Sequence, residues 1–179
     1  METWLMTSDA LHEPWRLWSC HLAHHGWRHA LDNFLALSIP LMLVRGKDRG
    51  RLLLWLFLLA PALSLAMLSV LDGGTFGGIS GLACAAWALV GIQLLVREDS
   101  LPVGFAMLGL LGLKISVEAM TGSGLLVHDG RWQSVSESHL YGTLLGLAAG
   151  AMDETFRRVE RRVRCCTERG LRRLAAAPR

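Results

Sequence analysis

The sequence predicts an all-α fold, a polytopic transmembrane helical bundle with five spans. Apolar residues make up 52% of the 179 residues, and the mean hydropathy is +0.37. They gather into runs of roughly the 17 to 25 residues that a helix needs to cross a bilayer. Short charged or glycine-rich segments separate these runs. The predicted spans are 29–44, 52–70, 78–96, 101–119 and 136–152.

Each predicted span has a recognisable boundary. The first follows a histidine-rich approach and stops at a basic loop, and the second contains Pro61, which membrane helices tolerate. The third starts at a glycine-rich turn and ends at Arg97-Glu98-Asp99. The fourth has Pro102 in its first turn, where proline is favoured. A long loop, 120–135, precedes the fifth span, which closes at Asp153.

Positive charge predicts the orientation of the spans. The loop 45–51 carries four positive residues and one negative residue, and the tail 153–179 carries nine arginines and four acidic residues. Cytoplasmic loops are enriched in Lys and Arg, so we assign both segments to the cytoplasm. The net charge of only +3, placed in this way, indicates membrane topology and no nucleic-acid partner. We expect an outer N-terminal segment 1–28, a membrane core 29–152 and a basic cytoplasmic tail.

This topology places three polar groups at one depth. His29, Ser80 and His139 lie at the outer ends of the first, third and fifth spans. Polar residues within spans are costly, and they are mostly functional when they face the bundle interior. A serine nucleophile needs a base within hydrogen-bond reach, and His139 is the histidine inside the last span. We therefore predict a Ser80–His139 catalytic dyad.

An oxyanion site is predicted beside the dyad. Attack by Ser80 on a carbonyl places negative charge on its oxygen, which needs preorganised donors. His29 and Asn33 are four residues apart, so they share one helix face and both can donate. Backbone N–H groups at the start of the third span point in the required direction.

Each residue also has an ordinary structural explanation. Ser80 fits a helix N-cap that precedes a small-residue packing face, and the other polar groups fit the wet ends of spans. Lys114 and Glu118, four apart in the fourth span, fit an ion pair that neutralises both charges, with a proton relay as the functional alternative. The histidines within 21–29 are a weak metal candidate, because no Asp, Glu or Cys ligand set joins them.

Glycine spacing predicts that the third and fifth spans pack closely. Gly142, Gly146 and Gly150 form a repeated G-x-x-x-G pattern, and Gly81 lies on a similar face of the third span. Small faces let two membrane helices approach closely. Such packing would bring the outer ends of both spans together.

Over residues 24–150 these motifs resemble, in order, those of the rhomboid family of intramembrane serine proteases. Gly78-Ile79-Ser80-Gly81 resembles the G-x-S-G nucleophile motif, and His139-x-x-Gly142-x-x-x-Gly146 resembles the catalytic-histidine motif. His29-x-x-x-Asn33 resembles the oxyanion motif, and His24 matches an earlier histidine that braces the first loop. The resemblance implies a rhomboid-like intramembrane serine endopeptidase that cleaves membrane-anchored proteins near the outer face.

Within that family the sequence is similar to the rhombosortase branch, through Ser138-His139-Leu140-Tyr141-Gly142 and the histidine-rich approach to Leu31-Asp32-Asn33. This similarity implies single-pass or tail-anchored substrates with a C-terminal Gly-Gly, a hydrophobic helix and a basic tail. It implies a bacterial inner-membrane protein whose site faces the periplasm and whose C-terminus is cytoplasmic. The partners are then these substrates and the lipid bilayer, and no metal or organic cofactor is expected.

The sequence departs from the family pattern at two points. Many rhomboids carry a tyrosine one turn after the serine, where Cys84 stands here, so the orientation of His139 must come from elsewhere. The family core also has six spans, and the first is missing; we expect a misplaced start, with a shortened chain or a five-span form as alternatives. The rival functions are a non-catalytic rhomboid-like chaperone of membrane segments and a small transporter that uses Lys114 and Glu118.

Overall fold

The computed structural model describes residues 2–24, 26–70, 74–97, 100–122 and 136–175, and it confirms the all-α helical bundle. Three short 3-10 helices occupy the N-terminal segment, at Glu2–Trp4, Ser8–Leu11 and Cys20–Leu22. The α-helices are α1 (Arg16–Ser19), α2 (Trp27–Leu43), α3 (Lys47–Leu68), α4 (Ser80–Leu95), α5 (Leu101–Thr121) and α6 (Ser136–Ala175). Residues that fall outside the described ranges include His25, Glu98, Asp99 and most of the predicted loop 120–135.

The five predicted spans correspond to α2 through α6. Most ends differ by one or two residues, and three differences have an identifiable cause. Helix α3 begins at Lys47 instead of residue 52, because Asp48 in its first turn favours a helix N-terminus. Helix α4 begins at Ser80, because Gly78 has a φ of +122°, outside the helical range. Helix α6 continues without a break to Ala175, since arginine-rich sequence stays helical after the apolar run ends.

Helix α4 is the centre of the bundle. Twelve of its sixteen residues are buried, and it packs against α2, α3, α5 and α6. A helix that is apolar on every side needs such surroundings. Ser80 therefore stands at the N-terminal end of the most enclosed helix.

The outer surface of the bundle is suited to lipid. Helices α3 and α5 are long and apolar enough to cross a membrane, with hydropathies of 2.0 and 1.6 over their most apolar stretches, while α4 is apolar but shorter. Large apolar side chains such as Phe34, Phe57 and Phe105 are exposed on three different helices. A broad exposed apolar surface of this kind indicates contact with a membrane or a partner.

The end of the bundle opposite Ser80 is held by a buried carboxylate. Asp153 of α6 accepts hydrogen bonds from Arg51 (2.9 Å), Trp55 (3.1 Å), Gln93 (2.8 Å) and Arg157 (2.6 Å). Burial acts to raise the pKa of Asp153, but the bonds from Arg157, Trp55 and Arg51 bring this pKa below its ordinary value. The ionised carboxylate thus joins α3, α4 and α6 at one point.

Candidate active site

Ser80 is the first residue of α4 and follows a tight glycine turn. The φ of +122° at Gly78 is one that side-chain-bearing residues rarely adopt. A Cβ at Gly78 would also lie 3.2 Å from Cε1 of His29. Glycine at this position therefore lets His29 of α2 approach the turn that leads into the half-buried Ser80.

His21 braces the glycine turn from the other side. Its Nδ1 lies 3.4 Å from the carbonyl oxygen of Gly78, and its Nε2 lies 3.0 Å from both Ala60 O and Ser64 Oγ. Burial lowers the pKa of His21, although hydrogen bonds to Ala60 and Gly78 act in the opposite direction. Through contacts of both ring nitrogens, His21 links α3 to the turn that carries Ser80.

The N-terminal segment also contacts this turn. Met6 and Phe76 exchange two backbone hydrogen bonds of 2.9 and 3.0 Å, and both side chains are buried. The family resemblance assigns the bracing role to His24. Its Nδ1 lies 3.0 Å from Leu22 O, and its ring packs edge-on against His29 with centroids 5.6 Å apart. The bracing role of His24 stays a prediction. The contacts of His21 were not predicted, because they depend on how α3 is rotated.

Helix α6 brings His139 to the same end of the bundle. A Cβ on Gly142 would overlap the carbonyl oxygen of Gly81, and a Cβ on Gly81 would lie 2.8 Å from Ser138 O. The two helices are thus in backbone contact, as the glycine spacing predicts. The neighbours of Ser80 and His139 in sequence, Gly81 and Ser138, touch one another.

Within the described residues, no hydrogen bond joins Ser80 Oγ to His139. Catalytic hydrogen bonds are often long before substrate binds, and they tighten in the complex. The structure brings the two helix starts together, and the Ser80–His139 dyad stays a prediction.

Helix α5 adds a charged pair to His139. Nδ1 of the imidazole is 2.8 Å from Glu118 Oε2 and 2.9 Å from Lys114 Nζ, and Lys114 Nζ is 2.6 Å from Glu118 Oε1. Glu118 is 2% exposed and His139 is 5% exposed. The predicted ion pair is present. Its contact with His139 was not foreseen, since the register between α5 and α6 has no sequence signal.

Asn33 lies on the face of α2 that packs against α4. Asn33 is 6% exposed, and its Nδ2 makes no hydrogen bond to any described residue. On the same face, His29 contacts the Gly78 turn and Ala36 O accepts a 2.8 Å bond from Trp87 Nε1 of α4. Asn33 therefore presents a buried, unpartnered donor between these two contacts.

This fold and site define a class of protein. It is a polytopic membrane bundle with a serine and a histidine at one end of two parallel helices. The rhomboid domain family model matches residues 11–155. The match covers more than half of the chain, and the protein belongs to the rhomboid family. Rhomboids are in general intramembrane serine proteases that act on membrane proteins within the bilayer. No curated protein and no solved structure matches the chain.

Proposed function

We propose that this rhomboid is an active intramembrane serine endopeptidase with Ser80 as nucleophile and His139 as general base. The observation that carries the proposal is the backbone contact of α4 with α6 at Gly81 and Gly142, directly beside both residues. Ordinary helix packing is enough to explain the glycines. It does not explain why a hydroxyl stands at one helix start and a buried imidazole at the other.

The proposed reaction has two halves. Ser80 Oγ attacks the carbonyl carbon of the scissile peptide while His139 Nε2 takes the hydroxyl proton, and the carbonyl π electrons move to oxygen. Collapse of this intermediate breaks the C–N bond, and the imidazolium gives its proton to the leaving amine. Water, deprotonated by the same imidazole, then cleaves the acyl-enzyme ester and Ser80 regains its proton.

Asn33, His29 and the backbone N–H of Ser80 are the proposed oxyanion donors. A buried donor without a partner costs about 1–3 kcal/mol of stability, and an acceptor that binds here would give the Nδ2 of Asn33 its partner. An oxyanion that forms only during the reaction supplies one, because donors fixed beforehand need no reorganisation.

We expect Asn33→Ala to lower turnover by roughly 10- to 1000-fold, the range for loss of one oxyanion donor. Its melting temperature should stay the same or rise, because the unpaired amide disappears. Ser38→Ala is the control on the same helix, since Ser38 Oγ bonds only Leu35 O within the described residues. Turnover of Asn33→Ala equal to that of Ser38→Ala removes Asn33 from the oxyanion site.

The proposed substrates are single-pass or tail-anchored proteins with a C-terminal Gly-Gly, a hydrophobic helix and a basic tail. The similarity to rhombosortases supports this class. Helix-breaking glycines suit it, because a stable helix hides its carbonyls from a nucleophile. We place the protein in a bacterial inner membrane, with segment 1–28 and the site on the periplasmic side of the core and the tail 153–179 in the cytoplasm.

The function is tested on purified protein in lipid vesicles with a fluorophosphonate and a Gly-Gly-tailed reporter. We expect covalent phosphonylation that peptide mapping assigns to Ser80, together with cleavage of the reporter. The non-catalytic alternative, a rhomboid-like protein that binds membrane segments, predicts reporter binding without either result. An open apolar groove beside the turn suits a membrane segment under either function; it is lined in part by Trp27, Leu31, Phe34 and Ile79.

A further inference from the structure

The carboxylate of Glu118 meets His139 on the ring nitrogen that the proposed chemistry does not use. Glu118 Oε2 and His139 Nδ1 are 2.8 Å apart, and both residues are buried. A carboxylate oxygen only accepts hydrogen bonds, whereas a neutral imidazole has one donating and one accepting nitrogen. Which nitrogen carries the proton is decided by the groups that face it.

Two groups compete for Nδ1. Lys114 Nζ, 2.9 Å away, can donate only to an unprotonated Nδ1, and that tautomer puts the proton on Nε2. The lone pair of Nδ1 would then face Glu118 Oε2 at 2.8 Å with no proton between them. Two buried acceptors at that distance repel each other, and the cost is high where water does not screen them.

In the other tautomer Nδ1–H and the Lys114 ammonium are both donors and no longer bond each other, but each bonds one oxygen of the Glu118 carboxylate. Nδ1–H donates to Glu118 Oε2, and Lys114 keeps its 2.6 Å bond to Glu118 Oε1. The Lys114 ammonium can also bond water, because the Lys114 side chain is 27% exposed whereas that of Glu118 is only 2% exposed. The lone pair then lies on Nε2, at the opposite side of the ring, as a general base requires.

From these contacts we infer that Glu118 is a positioning residue that holds His139 as the Nδ1–H tautomer. Lys114 keeps the carboxylate of Glu118 ionised. The inference rests on the proposed function, because the tautomer matters for catalysis only if His139 is the base. Ser80, His139 and Glu118 then form a triad in which the acid comes from α5. The role of such an acid is to orient the imidazole and stabilise the imidazolium.

Glu118→Gln is the decisive variant. Its amide NH₂ can donate to Nδ1, which moves the proton to Nε2 and removes the base while the side-chain shape is kept. We expect cleavage of the Gly-Gly-tailed reporter to fall about 10²- to 10⁴-fold, since an amide in place of a triad acid costs up to about 10⁴. Glu137→Gln makes the same change at an exposed position of α6 and should cleave normally.

A direct readout is the protonation of His139 itself, followed by two-bond ¹H–¹⁵N correlations on histidine-labelled protein at mildly alkaline pH. We expect a proton on Nδ1 in the wild type and on Nε2 in Glu118→Gln. An Nδ1 without a proton in the wild type, or the same tautomer in both proteins, overturns the inference. If Glu118→Gln does not fold, Lys114→Met/Glu118→Gln removes the unpaired charge and is measured in its place.

The two readouts separate this inference from the proposed function. A wild-type protein that neither reacts with the fluorophosphonate at Ser80 nor cleaves the reporter refutes the function, and the tautomer comparison still decides the role of Glu118. A folded Glu118→Gln that cleaves at the wild-type rate refutes the role of Glu118 and leaves the Ser80–His139 dyad standing.

Discussion

Ser80→Ala is expected to abolish cleavage of the Gly-Gly-tailed reporter, and His139→Ala is expected to do the same. Nucleophile and base act as a unit, so either loss should cost about 10⁴- to 10⁶-fold, and the double variant should be no slower than the single ones. The measurement is the initial rate of reporter cleavage in vesicles at equal protein. Residual turnover would reflect only oxyanion donors and substrate positioning.

Stability measurements distinguish chemical loss from unfolding in these variants. Ser80 is half-buried, and its hydroxyl bonds no described residue. Ser80→Ala should therefore change the free energy of unfolding by no more than about 0.5 kcal/mol. His139→Ala leaves the buried Glu118 without one donor and should destabilise by about 1–3 kcal/mol. Ser116→Ala and His12→Ala alter exposed residues and serve as controls. Reporter cleavage that persists in Ser80→Ala rules out the dyad.

The positions of the helices were predictable because apolar runs and charged breaks are local signals. The runs locate α2 to α6, and Gly78 explains why α4 begins at Ser80 and not two residues earlier. The far end of α6 was less predictable. Hydropathy marks where a span ends, whereas a helix ends only where its backbone hydrogen bonds end. Arginine has a high helix propensity, so arginine-rich sequence continues the helix.

The placement of the candidate site residues was predictable only where they lie at helix starts or on small-residue faces. Spacing alone places His29 and Asn33 on one face, and the glycines predict that α4 meets α6. The contacts of His21 with α3 and of Glu118 with His139 depend on how one helix is rotated against another. Lys114 and Glu118 were visible as a pair, but nothing in the sequence indicated that the pair faces α6.

The inferred role of Glu118 bears on the departure at Cys84. A tyrosine one turn after the serine would orient the histidine from α4, whereas Cys84 is a small buried side chain that packs near Leu111 of α5. If Glu118 holds His139 as inferred, orientation comes from α5 through a charged hydrogen bond. The site then keeps the dyad's geometry with a different supporting residue, which the comparison of Glu118→Gln with Glu137→Gln tests.

The second large effect is expected at Gly142. A Cβ there would overlap the carbonyl oxygen of Gly81 and lie 2.7 Å from its carbonyl carbon. Backbone atoms cannot move aside as a side chain does, so Gly142→Ala must push α4 and α6 apart. We expect a destabilisation of about 1–3 kcal/mol, the usual cost of overpacking. Turnover should fall about 10²-fold or more, because a displacement near 1 Å suffices for such a loss.

Gly109→Ala is the matched control, because a Cβ at Gly109 of α5 would meet nothing within 4 Å. Alanine favours a helix interior by up to about 1 kcal/mol over glycine, so this variant should be as stable as the wild type or more so. Differential scanning fluorimetry and reporter turnover are compared for both variants. If Gly142→Ala keeps wild-type turnover, backbone contact between α4 and α6 is not what holds His139 within reach of Ser80, and the observation that carries the proposed function loses its weight.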